Sequence, residues 1–338
     1  MTLAALATDD RRWEELVEAS PTPDVYYRPG YCAAYEAAGH GRVVAVATEH
    51  ALFPLQLRPL PFGEDGFDAV TPYGYGGALL TEPGTRADPR QLRDWCVSNR
   101  VVSCLLRLHP LLGGPGQLSE NDVPDVEVRE HGPTTAVDLR RIDPETGRLV
   151  GLSKGRKADL TIARRQLELE WAAADEALEQ FRRVYDSTMA RLGAGEFYLF
   201  PSEYYRALAA GLGERLGLAL ARHQGEVVGG ALFLADRRFA HYHLSGTTEK
   251  GRELKAGTLL VHAGAEWAAA RGCELLHLGG GTSGADSLFA FKKTFGGETF
   301  TYAFATLVAD AERYGALVAR RSEGGTSLRP GFFPAYRA

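Results

Sequence analysis

Two runs of this 338-residue chain gather side chains whose type and spacing bear on chemistry. Ser153 to Gln166 (SKGRKADLTIARRQ) sets Lys154, Arg156, Lys157, Arg164 and Arg165 against a single acid, Asp159. Cations grouped on one helix are suited to holding phosphates, although a solvated charged face is the commoner reason for such a run. Phe291 to Gly296 (FKKTFG) presents Lys292 and Lys293 ahead of a glycine turn. By residue type alone the two lysines are a surface pair. Beside a carbonyl under attack, a preplaced ammonium would instead steady the oxyanion. Gly279 to Asp286 (GGGTSGAD) does not continue as GxxxxGK into a helix, so it is not a nucleoside triphosphate loop. Its glycines fit close backbone approach after a buried strand. His241 and His243 alternate with Tyr242 and so share one strand face, with Tyr242 on the other. With no carboxylate or cysteine placed beside them, no metal site is expected. No Ser-His-Asp or Cys-His constellation is visible.

Composition bounds the frame that must position these residues. Hydrophobic content of 45% and charged content of 24% are ordinary globular values, and the length suits two domains. A net charge of −5 and a pI of about 6.0 argue against a general nucleic-acid binder while leaving room for a local basic patch. Cys32, Cys96, Cys104 and Cys273 show no CxxC spacing and read as buried cytosolic thiols. No apolar run approaches the length of a membrane span, and the start of the chain does not read as a secretory signal. A cytoplasmic protein is expected.

The first half reads as mixed α/β. Helices are expected over 11–18, 29–38 and 91–99, and strands over 42–48, 51–58, 101–108 and 126–139, with a loop over 112–125. Tyr73 and Tyr75 lie in a glycine-rich turn. In the second half a basic helix over 153–166 is followed by a helix over 174–189 with Leu178, Phe181 and Tyr185 on one stripe. A meander then runs over 217–223, 226–234 and 239–245. A helix over 256–271 ends at Gly272, and strands follow over 274–278 and 300–307. The order of helix, antiparallel meander, helix, strand, helix-like segment and strand is that of a GNAT acyltransferase domain. The domain division is expected at 1–139 and 140–310, with a C-terminal helix and tail over 311–338 that packs back on the first module.

Several segments in order resemble the FemABX family of GNAT-like transferases. They are the basic helix, FRRVYDSTMARLG with FYLFPSEYYRAL (181–193 and 197–208), 220–247, 258–281, and SLFAFKKTFGG (287–297). The likeness covers the second half of the chain; DAVTPYGYGG (68–77) and RLHP (107–110) match more loosely. The resemblance implies an α/β (α+β) fold of two GNAT-like modules without a coiled-coil arm. It implies an amide-forming aminoacyltransferase that uses aminoacyl-tRNA as co-substrate, without a cofactor, on an amine of a small molecule or peptidoglycan precursor. Phe291 and Lys292 are then the catalytic pair, Lys292 stabilising developing negative charge. Tyr73, Tyr75, Thr188, Arg191, Tyr198, Tyr242 and Ser245 become substrate-binding candidates. Lys154, Arg156, Arg164 and Lys255 become contacts to the tRNA acceptor end or to phosphate. Ordinary GNAT enzymes bind coenzyme A pyrophosphate with Q/RxxGxG/A; here RELKAG (252–257) carries Lys255 at the first glycine position. That difference favours another acyl carrier over an acyl-CoA-dependent N-acyltransferase. A non-catalytic module for a nucleotide-linked ligand is the remaining alternative.

Overall fold

The computed structural model describes residues 4–39, 41–118, 126–143, 149–172, 175–281, 286–323 and 328–338. In chain order its strands are β1 (Ala4–Ala7), β2 (Arg42–Ala47), β3 (Ala51–Pro59), β4 (Phe67–Val70), β5 (Leu79–Leu80), β6 (Val101–Leu108), β7 (Val126–Asp138), β8 (Glu168–Ala172), β9 (Leu216–His223), β10 (Glu226–Ala235), β11 (Phe239–Thr247), β12 (Leu275–Gly280) and β13 (Glu298–Val308). The helices are α1 (Arg11–Ala19), α2 (Pro29–Ala37), α3 (Pro89–Ser98), α4 (Lys154–Gln166), α5 (Asp175–Leu192), α6 (Ser202–Leu212), α7 (Glu249–Glu253), α8 (Ala256–Ala269), α9 (Ser287–Lys293) and α10 (Ala311–Glu323). Contacts divide the chain into two compact units, Met1–His131 with Thr301–Ala338, and Gly132–Phe300.

In the first unit the strand order is β1-β2-β3-β4-β6-β13, antiparallel except where β4 runs parallel to β6. One face carries Val44, Phe53, Leu55, Leu106 and Leu108 against Leu92, Trp95 and Cys96 of α3. Asp88 caps α3 by accepting from the Arg90 amide, and Pro89 opens the helix. β13 belongs to this unit from Thr301 onward because Ala303 to Val308 pair with Leu108 to Ser103. That pairing is long-range, which is why a division drawn from sequence at 310/311 differs from the observed one at 300/301. The tail aromatics dock in this unit: the Tyr336 hydroxyl lies 2.8 Å from Ser103 Oγ, and Ala335 N donates to the Tyr314 hydroxyl at 3.0 Å.

In the second unit the order is β7-β12-β11-β10-β9-β8. β9 to β11 form the expected antiparallel meander, and β12 runs parallel to β11. Helices cover both faces. A Cβ on Gly229 would meet Ala256 and Leu260 of α8, whereas one on the next residue, Gly230, would meet Phe181 of α5. α5 and α8 therefore lie on opposite sides of the strands. α8 is apolar nearly all round and is buried from Leu259 through Ala265, as a helix enclosed by a sheet and a second helix should be. α4 supplies Leu160 and Ala163 to the same core. Ser153 caps α4, accepting from the Arg156 amide at 3.3 Å.

The sequence pattern predicts no strand at β8 and no helix at α6. β8 (ELEWA) is an edge strand with mostly exposed side chains, so it lacks a clean alternating signal. Its pairing with β9 makes it a strand. α6 buries Tyr204, Tyr205, Leu208 and Leu212 at helical spacing, a signal present in the sequence behind Pro201.

Candidate functional site

The sheet of the second unit opens between β11 and β12. The β11–β12 ladder consists of Phe239↔Leu275, Ala240↔Leu276 and His241↔His277. Beyond these pairs β11 stays with β10 and β12 stays with β7. From Tyr242 and Leu278 onward the two parallel strands share no ladder pairs, and such an opening at the carboxyl ends of parallel strands is where α/β sheets place ligands. The buried His241 and His277 rings meet edge to face at 5.7 Å at its root. Gly279 has a φ of +77°, and a Cβ on Gly280 would lie 2.8 Å from the Pro133 carbonyl oxygen. The glycine run is thus needed for close approach to β7, as its sequence implied; residues 282–285 of that run lie outside the described residues.

β11 also departs from simple alternation. Phe233 pairs with Tyr242 and Leu232 with Leu244, so His243 is the extra residue of a bulge. Strict alternation would put Tyr242 and Ser245, three apart, on opposite faces. The bulge lets their hydroxyls hydrogen bond. Burial, only partly offset by that bond, pushes the Tyr242 phenol up to about 12. Tyr242 packs on Phe233 at 5.5 Å on the α8 side. His243 is buried and pairs with the Tyr204 hydroxyl of α6 at 2.9 Å. Burial, with the charge of His241, pushes its imidazole down to about 3, so it is neutral across the physiological range.

Lys292 stands at the end of β12. Asp286 caps α9 by accepting from the Phe289 amide at 3.0 Å, and Lys292 in the last turn donates from Nζ to the Gly280 carbonyl oxygen at 2.7 Å. The side chain is only partly exposed. Burial pushes the ammonium down to about 8, against the opposing pull of Asp286. It remains a cation at pH 7, held beside the gap between β11 and β12. Lys293 is not the solvent residue its type suggests: its Nζ donates to the Gly297 carbonyl at 2.6 Å and the Thr299 hydroxyl at 2.9 Å, closing the turn into β13.

Phe291 holds the helix in place. Its ring lies under the Arg156 guanidinium at 5.1 Å and meets Phe295 edge-on at 5.3 Å. It also packs at the start of α8, where a Cβ on Gly257 would be 3.8 Å away. Arg156 Nη1 donates to the Thr258 hydroxyl at 3.0 Å and pairs with Asp159 at 2.9 Å. This residue, expected to reach for phosphate, ties α4, α8 and α9 together instead. Lys154 is exposed at the start of α4. Arg164, also exposed, pairs with Glu266 at 3.3 Å. Lys255 precedes α8 with φ 65° and ψ 30°, a left-handed conformation that glycine adopts without strain. Lys255→Gly is expected to raise stability by about 1 kcal/mol, read as a higher urea midpoint at unchanged slope.

The structure brings Lys292, Phe291, Arg156, Lys255, Tyr242 and Ser245 to the α8 side of this unit. Thr188 is buried on the α5 side, donating to the Val184 carbonyl at 2.8 Å and accepting from the Thr247 amide at 3.0 Å. It fastens α5 to β11. Arg191 and Tyr198 are exposed at and beyond the end of α5, with Tyr198 ring-to-ring with Phe197 at 5.4 Å. Tyr73 and Tyr75 belong to the first unit, where Tyr75 meets Tyr302 at 5.0 Å and His109 at 5.7 Å. Sequence reasoning missed Thr258, the Gly280 carbonyl and Asp286. The last carried a signal, an aspartate three residues before Phe289 at a helix start.

Past His241 the parallel strands β11 and β12 thus part on a sheet that α8 covers. Residues 153–293 match the model described as Acetyltransferase (GNAT) domain. The chain carries this domain and is an acyltransferase. In fold it is similar to FemX, at 12% identity and a TM-score of 0.70 over 94% of this chain and 99% of that one. It is also similar to the C-terminal domain of a putative lysylphosphatidylglycerol synthetase from Agrobacterium fabrum, at 15% identity and 0.59 over 92% and 96%. A tandem GNAT protein from the clavulanic acid biosynthesis pathway aligns at 15% identity and 0.51 over 91% and 98%. No curated protein matches the chain. The FemABX resemblance drawn from the sequence is thus carried at the level of fold. Among the described residues no helix is long and apolar enough to cross a membrane.

Proposed function

We propose that this acyltransferase joins an amino acid carried on tRNA to an amine of a small molecule or peptidoglycan precursor. The observation that carries the reading is Lys292, a partly buried cation held by the Gly280 carbonyl where β11 and β12 part. The ester linking an amino acid to tRNA is already activated, so position and charge stabilisation suffice without a nucleophilic side chain. The acceptor nitrogen attacks the carbonyl and Lys292 steadies the oxyanion. The C–N bond then forms as the C–O bond to tRNA breaks, and the proton lost by the amine balances the one gained by the released hydroxyl. Tyr242 and Ser245 shape the acyl side of the gap. Lys154 and Lys255 supply charge for the acceptor-end phosphates, and the exposed Arg164 adds to that field.

The start of α8 supports a donor other than coenzyme A. A pyrophosphate needs close backbone approach at a helix N-terminus. There Lys255 replaces the glycine, and Arg156 already engages the Thr258 hydroxyl. The likeness to FemX and to a lysylphosphatidylglycerol synthetase agrees with an aminoacyl donor. An acyl-CoA donor is the second reading, favoured by the acetyltransferase model matched over 153–293. Incubation with each charged tRNA, or with acetyl-CoA, plus a pool of amines and mass detection of new amides separates the two. A new amide formed only with acetyl-CoA would replace the first reading by the second. No product from either donor would favour a binding module.

A further inference from the structure

α4 divides its cations into two sets. Arg156 is held by Asp159 and the Thr258 hydroxyl, and Arg164 by Glu266. Lys154, Lys157 and Arg165 are exposed and have no side-chain partner among the described residues. At 3.6 residues per turn these three fall within about 80° of one another around the axis, in a stripe about 16 Å long. Thr161 lies in the same stripe, its hydroxyl donating to the Lys157 carbonyl at 2.9 Å. No acid stands there, because Asp159 is on the opposite side of the helix. Five cations and one acid give α4 a charge of +4 in a chain that totals −5. A polyanion approaching this acidic protein is therefore steered to α4.

The chemistry of the stripe selects the ligand. Leu160 and Ala163, the apolar side of α4, are packed in the core, so the helix has no apolar face left to lie in a bilayer. Ile162 is the one large apolar side chain that α4 exposes, too little to anchor it there. Along the stripe there is no asparagine, glutamine, free hydroxyl or aromatic ring to read the edge of a base. Side chains that offer charge alone meet backbone phosphates and carry no sequence information.

We infer that this outward stripe of α4 is a docking surface for the sugar–phosphate backbone of RNA, with Lys154, Lys157 and Arg165 on phosphates and the base sequence left unread. That the polyanion is RNA rests on the proposed reaction, in which the acyl group arrives on tRNA. Within α4 the contacts thus pass from Arg156 and Arg164, which carboxylates hold, to Lys157 and Arg165, which nothing among the described residues holds.

The test is fluorescence anisotropy of a labelled, uncharged RNA hairpin with a single-stranded 3′ end, titrated with the intact protein over a range of salt. The logarithm of the affinity should fall linearly with that of the salt, with a slope of about −2 or steeper for three phosphate contacts. Lys157→Gln and Arg165→Gln should each flatten the slope by about one and weaken binding severalfold at low salt. Arg183→Gln, which removes an exposed cation of α5, should change neither. A hairpin with a permuted stem should bind within about twofold of the first. No binding, a slope unaltered by the α4 variants, an equal effect of Arg183→Gln, or a preference of about tenfold between stems would overturn the assignment. Binding to vesicles of phosphatidylglycerol and phosphatidylcholine in place of RNA would do the same. RNA held through these cations by an enzyme that transfers only from acetyl-CoA would keep the surface and sink the proposed donor. Unchanged transfer from subsaturating charged tRNA by the Lys157→Gln, Arg165→Gln double variant would sink the surface and keep the donor.

Discussion

Lys292→Met lowers the rate of amide formation at saturating substrates by about a hundredfold or more, the scale on which a single preorganised oxyanion donor acts. The residue touches the gap between β11 and β12 and donates to the Gly280 carbonyl at 2.7 Å, so its removal takes away one charge and leaves the fold in place. Single-turnover kinetics check the size of the effect, and far-ultraviolet circular dichroism checks the fold. Wild-type rates in Lys292→Met would remove the residue from the mechanism. The pH dependence is a second, independent reading. With the ammonium pushed down to about 8, the cation proposed to steady the oxyanion is lost as pH rises through that value. Transfer by the wild-type enzyme should therefore fall on the alkaline side near pH 8. Residual transfer by Lys292→Arg should lack that limb, because a guanidinium stays charged.

The same lowered value fixes the sign of a stability effect. Between pH 8 and 10 the unfolded chain keeps the Lys292 proton, the ordinary value of a lysine being 10.5, while the folded chain releases it. Where the unfolded state binds more protons, stability rises with pH. The penalty for burying this ammonium is therefore fully present below pH 8 and fades toward pH 10. Urea unfolding of wild type and Lys292→Met should show their difference moving in favour of wild type across that window. Parallel pH profiles would mean that Lys292 titrates as an exposed lysine and would remove the physical basis of the proposed role.

How far this site was legible in the sequence depended on the range of the interactions that build it. The meander β9–β11 announces itself by alternating apolar residues around the turns at Gln224–Gly225 and Asp236–Arg237, and α8 by its apolar length and terminal Gly272. These are local signals, and the structure follows them to within a residue or two. FKKTFG stood out because a resemblance marked it, since residue type alone made both lysines surface residues. Other features depend on contacts between distant residues. Arg156 turns inward because Thr258, 102 residues later, offers a hydroxyl, and Phe291 offers a ring face. The bulge at His243 is a property of the β10–β11 register and leaves no mark in the composition of β11. Thr188 looked available at the end of a helical stripe, yet the Thr247 amide and carbonyl claim its hydroxyl. Polar residues near a site are thus read from sequence as ligands more readily than as the struts they turn out to be.

The packing that supports the site yields the largest expected change in stability. A Cβ on Gly264, in the middle of α8, would sit 2.0 Å from Phe233 Cε1 and 2.3 Å from Cζ. Phe233 is fully buried, with Trp267 at 6.1 Å and Tyr242 at 5.5 Å. The ring has no open side to move into, so it and α8 must separate. Gly264→Ala gains about 1 kcal/mol of helix propensity and loses more than that to overpacking, for a net destabilisation of about 2 kcal/mol. Gly315→Ala is the control of opposite sign. It lies inside α10 with no atom within 4 Å of the added Cβ, so only the propensity gain of about 1 kcal/mol remains. Thermal unfolding of the two variants should move in opposite directions, by several degrees down and a few degrees up. Because Phe233 also backs Tyr242, Gly264→Ala should disturb the β11 bulge and lower transfer even at temperatures where the protein remains folded. A Gly264→Ala protein as stable and as active as wild type would mean that α8 does not pack on β10 through this contact, and the position of the helix N-terminus beside Lys292 would have to be redrawn.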